Sequence, residues 1–299
     1  IMEDLYVVFT MECRVPSLKA QFDAPQTWEQ SARSIDGFCT LMLNNGFAVT
    51  LLASPECAEE QSPLLEEFWG KRVEVGLYVD PPSIRGSKYK RDLGTYGVDE
   101  QRDIIEESMH RFADALGRRP RSFRAAQFSA SDATYQLLYS LGFTQGSLSS
   151  PGRNLPRRSA VWVDAPNFPH YVDPSNRLKV GSLEFLEIPL STMREGRTLY
   201  AGMVPELVIE SGDFESVHKP IIDALLASLE SEGAEFKAIC ATTSNHVDYR
   251  SDTKVVKSVE TMINYLQNLE DRYRIIPTTM ITLHERYREY YLEKSRADG

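Results

Sequence analysis

The chain has 299 residues, of which 42% are hydrophobic and 25% are charged, and its formal net charge is −10. Its length and composition are ordinary for a soluble globular protein and leave room for one large α/β domain or two smaller ones. The negative charge argues against nucleic acid and anionic membranes as main partners, because both require a basic face.

The first part of the chain alternates between apolar runs and amphipathic helices. Residues 4–13 are an apolar run ending in polar residues, which predicts a buried strand. Residues 24–46 carry apolar side chains at helical spacing and end at Asn45 and Gly46, which predicts a helix. The next predicted elements are a strand, an acidic helix and a strand, at 47–54, 55–71 and 72–79.

The same alternation continues to the end of the chain. The most regular helix is predicted at 98–120, where an apolar stripe repeats every three or four residues until Gly117. Further strands are predicted at 121–127, 182–191, 236–244 and 273–280. Further helices are predicted at 129–142, 217–233, 253–271 and from 282 to about 294.

Repeated strand–helix units predict a mainly parallel sheet, either a barrel or a doubly wound sheet, in one domain over residues 1–299. No GxGxxG or GxxxxGK[ST] sequence follows a strand, which weakens dinucleotide and nucleoside triphosphate hypotheses. Residues from about 146 to 181 are irregular, and we expect a long insertion over the barrel mouth.

In a barrel, functional groups lie where the strands end. These ends carry Glu12 with Cys13, then Tyr78 with Asp80, then Arg124, and finally residues 244–248. Tyr78 and Asp80 are two positions apart, so we expect both side chains to point into the barrel mouth.

No stretch approaches the ~18 to 20 apolar residues of a membrane span, and the N-terminus has no basic-then-apolar leader. We therefore expect a cytoplasmic protein. The four cysteines show no CxxC or CxH spacing, so they suggest neither a zinc knuckle nor a disulfide framework.

The order of motifs resembles the polysaccharide deacetylase family, the NodB-homology hydrolases of carbohydrate esterase family four, over residues 5–292. The most specific part is residues 97–143, which are similar to the family's long helix, its G-x-x-P-x-x-F-R segment and its L-x-x-L-G-F segment. The segment "VGLYVDPPS" before them also fits. The resemblance implies a distorted (β/α) barrel of about seven strands, related to the TIM barrel.

The resemblance also implies metal-assisted hydrolysis of an N-acetyl group, but this chain departs from the metal-binding pattern. Thr10-Met11-Glu12-Cys13 stands at the family's T-F-D-D motif, so Glu12 falls at the general base and Cys13 at a metal ligand. Tyr78 and Asp80 stand at the two metal histidines. The motif arginine matches Arg124, and His246 is the candidate general acid.

A neutral tyrosine is a poor zinc ligand. We therefore expect no tightly bound cofactor, with a zinc or other divalent site at Cys13, Asp80 and Glu12 as the alternative.

Each candidate residue has a catalytic and a structural interpretation. Glu12 is a candidate general base or an ion-pair partner of Arg124, which itself could bind an anionic substrate group or serve only structure. Tyr78 is a candidate oxyanion donor or a buried phenol with a partner. Cys13 is a candidate nucleophile, ligand or small packed residue.

Besides Cys13, four further residues are candidates for substrate binding. Asp80 is one, at the strand end. The other three lie in the 146–181 insertion: Arg153 in a Gly- and Ser-rich turn, Trp162 as a stacking surface for a sugar or other ring, and His170 as a pocket-lining group. For Trp162, core packing is the structural interpretation.

Three functional hypotheses follow. The first is a metal-independent, deacetylase-like hydrolase of an amide or cyclic amide C–N bond in a small polar metabolite. The resemblance supports it, because the family includes metal-independent, allantoinase-like enzymes. The second is a catalytically inactive barrel that binds a sugar or metabolite, and the third is a repurposed cyclase, isomerase or lyase. Each takes a small-molecule partner, and the sequence leaves a homo-oligomer open.

Overall fold

The computed structural model describes residues 2–17, 23–194 and 202–297. The first half of the chain contains β1 (Glu3–Cys13), α1 (Trp28–Asn44), β2 (Val49–Ala53), α2 (Pro55–Phe68), β3 (Val73–Val79), α3 (Val98–Leu116), β4 (Ser122–Ala125), α4 (Thr134–Ser140) and β5 (Gln145–Gly146). The second half contains β6 (Asn154–Leu155), β7 (Ala160–Val161), β8 (His170–Asp173), β9 (Asn176–Val180), β10 (Leu183–Glu187), α5 (Lys219–Ser231), β11 (Lys237–Ser244), α6 (Thr253–Gln267), β12 (Tyr273–Thr278) and α7 (Met280–Ala297).

Local sequence explains where several helices begin and end. The side chains of Thr27 and Ser54 cap the first turns of α1 and α2 by accepting backbone N–H bonds. Gly117 ends α3 in the left-handed conformation, at a φ of 68°, which glycine adopts without a steric penalty. These boundaries follow the predicted ones to within a few residues.

Within the described ranges, ten strands form one sheet in the order β11-β1-β2-β3-β4-β5-β10-β8-β9, with β12 also paired to β1. The pairs from β11 through β10 are parallel, as predicted, and only β8 and β9 add antiparallel pairs. The long strand β1 pairs with β12 along its first half and with β2 at its end.

The sheet curls until its two sides meet. Ser191, just beyond β10, donates its backbone N–H to the carbonyl of Cys240 in β11 at 3.0 Å. Cys240 returns its own N–H to Oγ of Ser191 at 2.9 Å. Strands β1 to β5, β10 and β11 therefore enclose an interior, which confirms the predicted distorted (β/α) barrel of about seven strands.

Side chains along β1 divide between the two faces of the curled sheet. Leu5, Val7, Phe9, Met11 and Cys13 belong to the large core that also contains residues of the helices. Tyr6 and Val8 belong to a second core inside the barrel with residues of the other strands. This period of two is the ordinary alternation of a strand, and it puts Glu12 on the inner side.

The start of α7 is attached to a buried polar layer inside the barrel. Glu74 accepts from the hydroxyl groups of Thr50 and Ser122, each at 2.9 Å, and from the backbone N–H of Ile281 at 3.0 Å. Nδ1 of His284 donates to the amide oxygen of Gln145 at 3.0 Å, and its Nε2 lies 3.2 Å from the hydroxyl group of Tyr171. The last helix is thereby fixed across several strands.

The stretch 146–181, expected to be an irregular insertion, contains four short strands. Strands β6 and β7 pair with each other, whereas β8 and β9 extend the main sheet beyond β10. These strands have two to five residues, as does the unpredicted β5, and such short segments carry little periodic signal. No helix in the described ranges combines the length and the apolar character needed to cross a membrane.

Candidate functional site

A pocket of about 860 Å³ opens at the carboxyl ends of β1 and β11. Three segments supply most of its polar lining: residues at the end of β1, the segment 206–211, and the loop from β11 into α6. Its charged and imidazole side chains are Glu12, Arg14, Asp23, Arg153, Glu206, Glu210, His246, Asp248 and Asp252. Carboxyl ends of parallel strands are the usual position of active sites in barrels.

Glu12 lies at this end of β1 and contacts two arginines. Arg14 donates from Nη2 at 2.5 Å and from Nε at 3.1 Å to one carboxylate oxygen of Glu12. Nη1 of Arg124 lies 3.5 Å from the other oxygen. Arg14 also forms an ion pair with Asp23. Both oxygens of Glu12 therefore face guanidinium groups.

Arg124 lies in the interior of the barrel and is fully buried. Its Nη1 donates to the hydroxyl groups of Thr10 at 2.9 Å and Thr242 at 2.7 Å. Its Nε and Nη2 donate to the carbonyl and hydroxyl oxygens of Ser147, at 3.1 and 2.7 Å. The guanidinium group thus links β1, β11 and the end of β5, and it also forms an ion pair with Glu12.

Tyr78 and Asp80 both lie beside Arg14. Tyr78 is 1% exposed, and the guanidinium carbon of Arg14 lies 5.7 Å from the centre of its ring. Burial raises the pKa of Tyr78 well above its ordinary value, although Arg14 opposes this shift. Asp80 accepts from the hydroxyl group of Ser83 at 2.5 Å, and burial raises the pKa of its carboxyl group. The cavity beside them holds only about 10 Å³.

The predicted juxtaposition of Cys13 with Glu12 is corrected by the structure. Consecutive strand residues face opposite sides, so Cys13 points out of the barrel into the core, where it is fully buried beside Cys57. Burial raises the pKa of its thiol well above the ordinary value. Cys13 therefore does not line the pocket at the ends of β1 and β11, and this environment disfavours a thiolate nucleophile or ligand.

His246 lies in the loop after β11 and lines the pocket. It is partly exposed, yet its Nδ1 is buried and has no hydrogen-bond partner among the described residues. Burial and the charge of Arg14 both lower the pKa of its imidazole, so the ring is neutral at pH 7.

Glu210 also lines the pocket, and the sequence analysis did not find it. Its Oε2 is buried with no hydrogen-bond partner among the described residues. Burial raises the pKa of Glu210 to about 7, against the opposing effects of Thr243 and Arg14. A carboxyl group with this pKa can accept or donate a proton near neutral pH.

Glu210 reaches the pocket because its segment runs beside β11. Ile209 donates its N–H to the carbonyl of Thr242 at 2.9 Å, in a short parallel bridge. Glu206, Val208 and Glu210 are two positions apart, and all three line the pocket. This alternation in "ELVIE" is the sequence signal that could have identified them.

Arg153 lies in the pocket wall. It forms two hydrogen bonds to the carboxylate of Glu206, each at 2.8 Å, and a third to the carbonyl of Gln127 at 2.7 Å. Gln127 and its neighbour Phe128 have φ angles of 60° and 55°, which are rare for side chains of this size. Arg153 therefore fixes a strained turn after β4 at the pocket edge.

Trp162 and His170, two more of the predicted substrate-binding residues, also lie outside this pocket. Trp162 is fully buried in the core, and its indole N–H donates to the carbonyl of Phe128 at 2.8 Å, so it has no surface on which a sugar ring could stack. His170 is 1% exposed, with Nδ1 2.8 Å from the carbonyl oxygen of Phe168. Burial lowers the pKa of His170 to about 4. The insertion folds inward here, which agrees with the core-packing interpretation of Trp162 and leaves His170 outside this pocket.

Solved structures share this architecture over nearly the whole chain. One named "putative polysaccharide deacetylase from Mycobacterium smegmatis" has a TM-score of 0.61 and 14% identity, and the match covers 97% of this chain and 92% of that one. The chain has the polysaccharide deacetylase fold. A probable polysaccharide deacetylase from Pseudomonas aeruginosa PAO1 matches with a TM-score of 0.60 and 13% identity, covering 95% of this chain and 91% of that one.

A solved structure of Puue allantoinase is similar to the same extent, with a TM-score of 0.59 and 13% identity over 94% of this chain and 89% of that one. No protein-family model and no curated protein matches the sequence. The resemblance to the deacetylases is therefore confirmed at the level of the fold.

The residues at the deacetylase metal position do not fit a divalent ion. Of the alternative ligands, Cys13 faces away, Glu12 is engaged by Arg14, and the space beside Asp80 is filled. In the part of the chain that the structure describes, no group of three or more His, Cys, Asp or Glu side chains is arranged to hold a metal. A cationic guanidinium group stands among these donors instead.

Proposed function

We propose that this deacetylase-fold chain is a hydrolase that cleaves an amide or cyclic amide C–N bond in a small polar molecule and uses no resident metal ion. The observation that carries the proposal is Glu210, a carboxyl group in the pocket with a pKa near 7 and an unpaired oxygen. The bond type is suggested by structural neighbours named as deacetylases and as an allantoinase.

The proton chemistry is assigned to Glu210 rather than to Glu12. Both oxygens of Glu12 face guanidinium groups, which leaves Glu12 as an anchor for the positive charges around it. The carboxylate of Glu210 has no such partner on Oε2. In its ionised form it would accept the proton of a water molecule while the water oxygen attacks the carbonyl carbon.

The remaining steps follow from the same groups. The carbonyl π electrons move onto oxygen when the new C–O bond forms, and they return when the C–N bond breaks. The protonated Glu210 would give its proton to the departing nitrogen, so that the products are a carboxylic acid and an amine. The neutral imidazole of His246, with its free Nδ1, would orient the water or the nitrogen by hydrogen bonding.

The test is a panel of N-acetyl and cyclic amide compounds offered to the wild-type chain after chelator treatment. We expect turnover that Glu210→Gln lowers by about 10² to 10⁴-fold. Glu187→Gln is the matched control, because Glu187 is also buried with a pKa of about 7 but lies outside the pocket. Turnover that is equal in wild type and Glu210→Gln would overturn the assignment.

The same panel distinguishes hydrolysis from the alternative functions. A compound that raises the melting temperature without being consumed would indicate a ligand-binding barrel without catalysis. A product that contains no oxygen from ¹⁸O-labelled water would indicate a lyase, a cyclase or an isomerase. Incorporation of one labelled oxygen into the acid product is the result that hydrolysis requires.

A further inference from the structure

At the place where the deacetylase resemblance implies a metal centre, the space is filled by the side chain of Arg14. The resemblance to the deacetylases puts Tyr78 and Asp80 at the positions of two metal ligands, and the cavity they line together with Arg14 has a volume of about 10 Å³. That volume is about what one water molecule needs. A hydrated divalent ion has no room beside them while Arg14 keeps this conformation.

Arg14 is held in this place by charges on two sides. Its Nη2 and Nε contact Glu12, and its Nη1 contacts Asp23. The aromatic ring of Tyr78 lies at cation–π distance on a third side, 5.7 Å from the guanidinium carbon. The side chain is 18% exposed, so it is anchored but still reaches the pocket surface.

The guanidinium group of Arg14 has more N–H donors than its carboxylate partners use. Three of its nitrogens contact carboxylates, which uses three of the five N–H groups that an arginine carries. The other two N–H groups have no acceptor among the described residues, and Arg14 lines the same pocket as Glu210 and His246. A fixed cation with free donors near a proton acceptor is suited to stabilise an oxyanion.

We propose that the guanidinium group of Arg14 takes the place of the divalent metal in this fold and polarises the carbonyl group of the substrate. The replacement of the metal by Arg14 concerns the fold alone, whereas the polarisation of the carbonyl group, which is the catalytic half of the proposal, rests on the proposed function. When water adds to the carbonyl carbon, the carbonyl π electrons would move onto oxygen, and a free N–H of Arg14 would donate to that oxyanion. No electron or metal ion from outside is required.

The replacement itself is tested without any turnover. Metal-stripped wild-type protein is titrated with Co²⁺ and Zn²⁺, and binding is followed by calorimetry and by the visible absorption of Co²⁺. We expect no stoichiometric site. One equivalent of bound Co²⁺ that is lost in Asp80→Asn would overturn the proposal, because it would put a metal where we place Arg14.

The catalytic half is tested with Arg14→Ala and Arg14→Lys on any substrate that the amide panel provides. We expect Arg14→Ala to lower kcat by about 10² to 10³-fold with a smaller change in KM, since the lost donor acts on the oxyanion. Methylguanidinium added to Arg14→Ala should restore part of kcat. Arg14→Lys, which keeps the charge, should retain more of kcat than Arg14→Ala does.

Arg111→Ala is the matched control for loss of a partly buried arginine. Arg111 is 20% exposed and pairs with Glu56 and Glu59, but it lies outside the pocket. The Arg111→Ala variant should be less stable than wild type and should keep the wild-type kcat. If Arg14→Ala and Arg14→Lys keep the same kcat as Arg111→Ala, the catalytic half is wrong. If wild type hydrolyses nothing, the proposed function fails, and the metal titration still decides the replacement.

Discussion

Glu12 and Glu210 line the same pocket but have different surroundings. Arg14 and Arg124 face the two oxygens of Glu12, whereas Oε2 of Glu210 is buried without a partner. Burial without full compensation is what raises a carboxyl pKa, and for Glu210 it reaches about 7. At the scale of single residues, the environment and not the residue type decides which carboxyl group exchanges a proton.

We predict that the pH dependence of turnover follows Glu210. If Glu210 is the general base, kcat/KM rises with pH through an apparent pKa near 7, because only the ionised carboxylate accepts a proton. A pH–rate profile of wild type and of Glu210→Asp measures this. A profile with no inflection between about pH 6 and 8 would contradict the role.

A second prediction at this scale concerns Arg124. Its donors satisfy Thr10, Thr242 and Ser147 in the closed interior, so Arg124→Met should leave these groups and Glu12 without their partner. We expect the free energy of unfolding to fall by about 3 to 5 kcal/mol in urea denaturation. Arg272→Ala, at an exposed ion pair, should cost less than about 1 kcal/mol. Unchanged stability with a raised KM would instead indicate substrate binding.

Among the secondary-structure elements, β1 and α7 have the largest consequences for the site. Strand β1 presents Glu12 to the interior and Cys13 to the core, and Arg14 follows at the point where the strand ends. Helix α7 lies at the other end of the barrel, where Glu74 accepts the N–H of Ile281. The pocket end and the α7 end of the barrel are therefore organised by separate polar groups.

We predict that Glu74→Ala loosens α7. The substitution removes the acceptor for Thr50, Ser122 and the first turn of α7, and buried donors without partners cost about 1 to 3 kcal/mol each. Amide hydrogen exchange in α7 should become faster, together with lower stability in urea. Glu285→Ala, exposed on the same helix, is the control. Equal exchange in both variants would show that Glu74 does not hold the helix.

The free energy of unfolding of the whole molecule should depend on pH through its buried carboxyl groups. Burial raises the pKa of both Glu187 and Glu210 to about 7, from an ordinary value of 4.5. Between these values the unfolded chain has released the proton that the folded chain still holds. The free energy of unfolding must therefore fall as the pH rises through this window, with the contribution fully present below about 4.5 and lost above about 7.

We predict that Glu210→Gln flattens this dependence. One group shifted from 4.5 to about 7 contributes a change of about 3 kcal/mol across the window, and the amide does not titrate. Urea denaturation at pH values from about 5 to 8 compares the variant with wild type. Parallel profiles for the two proteins would mean that Glu210 is not buried in its neutral form.

Elements with a long periodic sequence pattern were predictable, whereas short elements were not. Long periodic segments such as α3 and the apolar run of β1 were identified close to their true positions, and so was the barrel. Strand β5, with two residues, has no readable period. Whether Trp162 and His170 face the pocket or the core was not readable, because an insertion rich in Pro and Gly carries no pattern that shows which side chains fold inward.

The sequence by itself determined a mainly parallel sheet and the strand ends that carry polar groups, and the resemblance to the deacetylases implied the barrel. These features depend on local periodicity and residue chemistry. Only the tertiary structure decided that Cys13 faces the core, that Arg14 fills the space beside Tyr78, and that Glu210 enters the pocket. Contacts between Glu12, Asp23 and Arg14, or between residue 209 and Thr242, depend on how distant segments meet, and burial then sets the pKa of each group.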